Sequence, residues 1–589
     1  MLKILKIFWC LPCGFLLLIS GTSSGNESDW ITQSDKHTDI VLGNMAKFEP
    51  ERAGGIGVGG VDDEILDLRA NLYERRRTES LKVLVRLEVL LKKEKHPKIR
   101  QDLAILKQAV KGEMRSHLLN RTHQVPYFNV SQIVYSGVRS LIDSQVSHQR
   151  YPSATTRIRR YAGMEKGMKA LTELAKARTR ERLRVKGLIW PYRVEVQQDI
   201  DRTETFIDGI EALFVATSLE GWQQAFVRLS QQLRDYARWV RTEILPRARE
   251  DFRLLPELYE DSLRIAGVNT SIEQLIQNGS HAYLDIRNEM EVIGALVAKQ
   301  HDYPFKDYRK VIQRLRDQGT IDGDKLLGHY QLVLSELEEI VRKNNLVGIP
   351  DRSAGIRIAT VAESAALPAA HLDVPRLKDN KGALPYFVVP NIPRNLEGSW
   401  PHTDYNYEAG LWTLTAHEAR PGHELQYSTM IENGLSLARV VFAFNSVNVE
   451  GWALYAEAIT KPYMPLEGQL ISLQYRLLRA ARMFLDPMLH KGRISPEEAK
   501  RLLLEDIVIE ETWAQDEIER YTYRSPGQAT AYYYGYAKMQ SLRTQTELAL
   551  REQFDQKAFH NFILDQGLLP PQLLKKAVME EFVPDYADR

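Results

Sequence analysis

Residues 413–426 read TLTAHEARPGHELQ and residues 447–460 read VNVEGWALYAEAIT. The first stretch sets His417, Glu418 and His423 around a Pro421–Gly422 pair. A histidine with an adjacent glutamate and a second histidine is the vocabulary of a zinc hydrolase: two imidazoles hold the metal and the glutamate is the general base. In the common form the second histidine follows four residues on. Here it follows six residues on, about 240° round an ideal helix. A regular helix cannot present both rings to one ion. Pro421 removes a helical hydrogen bond and Gly422 admits unusual dihedrals, so the sequence predicts a two-residue bulge that returns His423 to the face of His417.

The second stretch supplies Glu450 and Glu457, seven residues apart. Seven helical residues turn through about 700°, so both carboxylates point nearly the same way. Trp452, Ala453, Leu454 and Tyr455 between them are apolar, and a buried acid is costly unless paired or metal-bound. Glu450 is therefore predicted as the third ligand. Glu457 is predicted to hydrogen-bond a ligand histidine from behind. Three protein ligands leave one position open, the mark of a catalytic zinc, one Zn2+ per chain.

Around this centre the composition is ordinary. The chain has 589 residues, 44% hydrophobic and 26% charged, which excludes a disordered tail, a collagen-like repeat and a polytopic membrane protein. Lys plus Arg number 78 against 77 for Asp plus Glu, a net charge of +1. That balance gives no electrostatic reason to expect nucleic acid or an anionic membrane as partner. MLKILK, then IFWCLPCGFLLLI, then SGTSSG read as a secretory signal over 1–24. The apolar run is shorter than the roughly 20 residues a bilayer requires. The expected location is exported, periplasmic or secreted, with no integral span after signal removal. Cys10 and Cys13 are the only cysteines and both lie in the signal. The mature chain would have no disulfide, no thiolate nucleophile and no cysteine ligand. Neither cysteine stands in a lipoprotein cleavage context.

Helical patterns run nearly throughout. Val83, Leu87, Leu90 and Leu91, and again Tyr330, Leu334, Leu337 and Val341, follow the stripe of a half-buried helix. Residues 25–60 are polar and then Gly-rich (AGGIGVGG, 53–60) and read as a flexible linker. Residues 61–345 read as a helical region walling a cleft, and 346–589 as the catalytic zinc-binding region. Strand signals cluster in IRIATV (356–361) and PYFVVP (385–390). The prolines point to an edge strand or strand ends, making PYFVVP the candidate to pair with an extended substrate. The predicted fold class is mostly α, with a small β-sheet next to the active-site helix and a deep central channel.

HEARPGHELQ and EGWALYAE, followed by RAARMFLDPMLH (479–490) and ERYTYRSPGQATAYYYG (519–535), resemble in order the motifs of an exported bacterial family known as domain of unknown function 885. The resemblance implies a mostly helical metallopeptidase-like fold, similar in outline to thimet oligopeptidase and other zinc peptidases with a glutamate third ligand. Carried over by position, it makes His417, His423 and Glu450 zinc ligands and Glu418 the base. It also implies Tyr532 as donor to the tetrahedral oxyanion, with Tyr533 and Tyr536 as neighbouring alternatives and His490 as a second donor. Arg520 would grip a substrate carbonyl or terminal carboxylate, or serve as a buried structural arginine; Tyr536 would contact substrate. The chain departs from the family pattern in two places. Glu424 follows His423 where many members have a second histidine, and Met488 replaces a glycine two residues before His490. The implied function is an exported zinc-dependent metallopeptidase acting on short peptides. The alternatives are a zinc hydrolase of a cell-wall or other amide and a non-catalytic peptide-binding protein.

Overall fold

The computed structural model describes residues 24–142, 146–360, 363–364, 367, 369–394, 400 and 403–587. The expected signal lies outside them up to residue 23. The fold is mostly α, with one three-stranded sheet among the described residues. No helix among the described residues is long and apolar enough to cross a membrane.

The central element is α7 (Leu466–His490), buried on nearly every side, so the charges it carries, Arg476, Arg479, Arg482 and Asp486, are buried with it. It runs antiparallel to α2 (Ile272–Gln300): Gln300 bonds Glu467 at one end (2.7 Å), and Gly279 lies against Met483 at the other. A Cβ on Gly279 would come within 2.7 Å of Met483, so only glycine lets the helices approach this closely. Helix α3 (Gly323–Lys343) buries Tyr330, Leu334, Leu337 and Val341, as its stripe predicts. A separate core over residues 65–248 holds the N-terminal helices together.

Two expectations are overturned here. Residues 25–60 are not a linker: α1 (Ser24–Phe48) and a short helix Pro50–Ile56 occupy most of the stretch. Trp30, Val41 and Leu42 of α1 are buried. Ser34 and Ser436 both donate to Asp102 (2.7 and 2.6 Å), and Asp35 accepts from the Leu437 amide. The polar composition deceived because the polar groups bond one another in the interior. The second correction concerns the sheet. Strand β3 (Tyr386–Val389) pairs in parallel with β1 (Gly355–Ile358) on one side and antiparallel with β2 (His371–Asp373) on the other. PYFVVP is thus the central strand, with Pro385 and Pro390 just outside its ends, and has no free edge for a substrate. Phe387 and Val389 join the same core as α7.

The site is positioned by α4 (Glu408–Glu418), α5 (His423–Glu432), α6 (Ser446–Thr460) and α8 (Ala531–Leu550). Helices α6 and α8 cross at two glycines. A Cβ on Gly535 would meet the Val447 carbonyl oxygen at 2.1 Å, and one on Gly451 the Gly535 carbonyl carbon at 2.6 Å. Replacing Gly535 by Ala is expected to cost about 1–3 kcal/mol by forcing this crossing apart. The urea midpoint should fall accordingly; an unchanged midpoint would contradict the close crossing.

Candidate metal centre

The predicted bulge is a clean break. Helix α4 makes its last bond from the Ala419 amide to Thr415, and α5 begins with the Gln426 amide on Gly422. Between them lies a turn with a cis Arg420–Pro421 peptide. Pro421 ends α4 because it has no N–H to donate and its ring clashes with the turn before it. Gly422 is required by space: a Cβ there would lie 1.9 Å from the His417 carbonyl oxygen. The Trp452 indole N–H donates to the Pro421 carbonyl (3.0 Å) and reaches that of Gly422 (3.3 Å), fastening the turn to α6.

This turn brings the rings of His417 and His423 together, 4.7 Å apart and nearly perpendicular. Glu450 Oε2 lies 3.6 Å from His417 Nε2 and 3.5 Å from His423 Nε2. Two ligand atoms each about 2.1 Å from one ion at a tetrahedral angle would be about 3.4 Å apart. The trio therefore has metal-sized separations, longer than good hydrogen bonds, and Glu450 Oε2 is buried without a hydrogen-bond partner. A borderline-soft divalent ion fits two imidazoles and one carboxylate.

Glu457 behaves as its spacing predicts. One of its oxygens accepts from His417 Nδ1–H and the other from the Thr413 hydroxyl, both at 2.7 Å. This fixes the tautomer that turns Nε2 toward Glu450. Burial pushes the Glu457 carboxyl up, but the His417 ring, the Arg479 charge and Thr413 outweigh it and hold it ionised. Burial likewise opposes the His417 cation, yet Glu450 and Glu457 raise its pKa to about 9. For Glu450 burial is again overcome, by the two histidines, which hold the carboxyl well below the usual range. Glu418 ends α4 beside this cluster and is 9% exposed.

The tyrosine block contributes Tyr532. Its hydroxyl oxygen accepts from Arg520 Nη2 at 2.9 Å, which leaves the phenol proton free to be donated elsewhere. Burial raises the phenol's pKa, Arg520 acts against this, and the nearby Glu450 charge adds to it. Arg520 also grips Gln528 Oε1 through Nε and Nη2 (3.1 and 2.7 Å). Its visible work is to hold Tyr532. The Tyr536 hydroxyl accepts from Gln540, and its ring lies against Tyr533.

His490 is not a donor to this site. Its Nε2–H donates to the Tyr521 carbonyl (2.9 Å) and its Nδ1 accepts from the Leu254 amide (3.2 Å). Burial lowers its pKa to about 4, so the ring is neutral and both nitrogens are used. Its motif partner Asp486 accepts from the Tyr259 hydroxyl and the Gly527 amide, and burial raises it to about 7. That block anchors the Pro526–Gly527 turn ahead of Tyr532. Glu424, where the family pattern varies, is fully buried in an ion network: it accepts from Arg420 Nε (2.8 Å), Arg352 Nη1 (3.0 Å) and Ser428 (2.8 Å). Sequence reasoning missed this network and the roles of Thr413 and Trp452. Thr413 was legible in principle, standing one turn before His417.

A family model described as "Bacterial protein of unknown function (DUF885)" matches residues 50–578. The chain belongs to this family. No curated protein matches the DUF885 chain. Two solved structures share its fold. A "putative lipoprotein of unknown function" from Shewanella oneidensis is 20% identical, with a TM-score of 0.72 over 93% of this chain and 99% of that one. A "putative lipoprotein" from Colwellia psychrerythraea is 18% identical, with a TM-score of 0.74 over 95% and 99%.

Replacing Glu424 by Gln leaves the sealed Arg420 guanidinium short of its counter-charge. The expected loss is about 3–5 kcal/mol of stability, measured by chemical denaturation; a loss below about 1 kcal/mol would show that Glu338 suffices alone.

Proposed function

We propose that this chain is an exported zinc-dependent hydrolase that cleaves amide bonds in short peptides. The observation that carries the reading is the convergence of His417 Nε2, His423 Nε2 and Glu450 Oε2 at metal-sized separations, with Glu418 adjoining. Zinc bound by those three residues would lend Lewis acidity to a substrate carbonyl and to a water. Glu418 takes a proton from the attacking water and delivers it to the leaving nitrogen. Water thus adds across the C–N bond: its oxygen ends in the new carboxylate, and the released amine gains a proton. The Tyr532 phenol, steadied by Arg520, donates to the oxyanion; loss of such a donor costs about 3–4 kcal/mol in the transition state. Glu457 keeps His417 in the ligating tautomer. Export is supported by the basic-then-apolar start of the sequence and by the description of both structural neighbours as lipoproteins.

The test is mass spectrometry of a mixed peptide library incubated with the purified mature chain, with metal-loaded Glu418→Gln protein alongside. Cleavage by the wild type alone is expected. No cleavage by either, at about one zinc per chain, would sink the peptidase reading, and equal cleavage would sink Glu418 as base. Glu457→Ala is expected to weaken zinc binding by about 10–100-fold in a competitive chelator titration. Unchanged affinity would mean that His417 needs no such partner.

A further inference from the structure

Arg476, Arg479 and Arg482 stand at i, i+3 and i+6 of α7, inside a helix that is otherwise buried and largely apolar. Nine arginines are buried among the described residues. Six of them pair with a carboxylate within 3.0 Å, Arg482 with Glu517 among them. Arg157 donates instead to two carbonyls and a hydroxyl. Arg476 and Arg479 are the exceptions. Arg476 is 7% exposed and lies over the Tyr536 ring at 5.2 Å; its Nε and Nη2 are sealed from solvent with no hydrogen-bond partner. Arg479 is 5% exposed and spends one N–H on the Tyr475 carbonyl of its own helix (3.2 Å), while its Nε is sealed and unpartnered. A buried charge with its donors unmade is a cost that a structure bears only for a reason.

Arg479 neighbours the metal centre, and Arg476 stands one turn before Arg479 on α7. The Arg479 charge reaches Glu457 behind His417. Tyr536, under Arg476, stands one turn along α8 from Tyr532, whose phenol senses Glu450. A guanidinium presents a planar fork that matches a carboxylate through two parallel bonds. We propose that Arg476, with Arg479 beside it, forms a subsite for the free α-carboxylate at the C-terminus of a peptide substrate. This rests on the hydrolase reading for its substrate, but the binding it requires can be measured without turnover.

The test uses one peptide sequence made with a free C-terminal carboxylate and with a carboxamide. Each is titrated calorimetrically into the zinc-loaded full chain carrying Glu418→Gln, and into the same protein carrying Arg476→Gln as well. The acid is expected to bind about 10-fold or more tighter than the amide, and Arg476→Gln should reduce that ratio to about 2-fold or less, with Arg476→Lys between. Equal binding of the two peptides, binding of neither, or a preference that survives Arg476→Gln would overturn the subsite. The melting temperature of the Arg476→Gln protein should match or exceed its parent's, because an uncompensated buried charge has been removed; a fall of several degrees would mark Arg476 as structural and also overturn it. Parallel incubation of both peptides with wild-type protein separates the two readings. Selective binding without cleavage keeps the subsite and sinks the hydrolase, whereas equal cleavage of acid and amide keeps the hydrolase and sinks the subsite.

Discussion

The Glu457 carboxylate is sealed in the interior with one oxygen on Thr413 and the other on His417. Much of the site's geometry follows from this one anion. It ties α4 to α6 at a fixed rotation, so Glu450, two turns earlier on the same face, meets the opposite edge of the same imidazole. The ring is held between two acids, one on each nitrogen. Rotating it by a few tens of degrees would break both contacts, and a buried carboxylate left without donors is expensive. The interaction is strong because it is dry: Glu457, His417 and Thr413 are all buried.

The second constraint is the turn from Ala419 to Gly422. Two helices meeting head to tail leave unsatisfied carbonyls at one end and amides at the other. Here the Trp452 indole takes up turn carbonyls, while Arg420, pointing away from the metal side, is enclosed by Glu338, Glu424 and the Arg352 carbonyl. The two histidines are thus held from α6 on one side and by an ion network on the other. A histidine at position 424 would have to replace an anion at the centre of that network.

Much of the site was legible because its parts obey helical periodicity. Glu450 and Glu457 share a face, and their separation alone predicts one partner for both. The histidines were legible as chemistry but not as geometry: spacing shows that a regular helix fails and leaves open whether a bulge or a break repairs it. His490 illustrates the opposite error, since a motif match cannot show that both ring nitrogens are spent on backbone groups. The small sheet was found in two of its three strands. Its order was misjudged because prolines flanking a strand look the same from sequence whether the strand is central or at an edge. Arg476 and Arg479 carried a signal that went unread: charges at helical spacing within an apolar helix have to be buried.

Helix α1 is made well before some of the segments that cover it. Asp35 and Leu437 are 402 residues apart, and Leu42 shares a core with Leu568. At roughly 5–20 residues per second, a ribosome needs about 20–80 s to supply the first of these partners. Throughout that interval Trp30 and Val41 can already pack on residues 83–110, whereas Leu42 lacks the partners it has from Tyr427 onward and Asp35 lacks the Leu437 amide. That one seam stays open until the later segments emerge, although the rest of α1 has its neighbours long before.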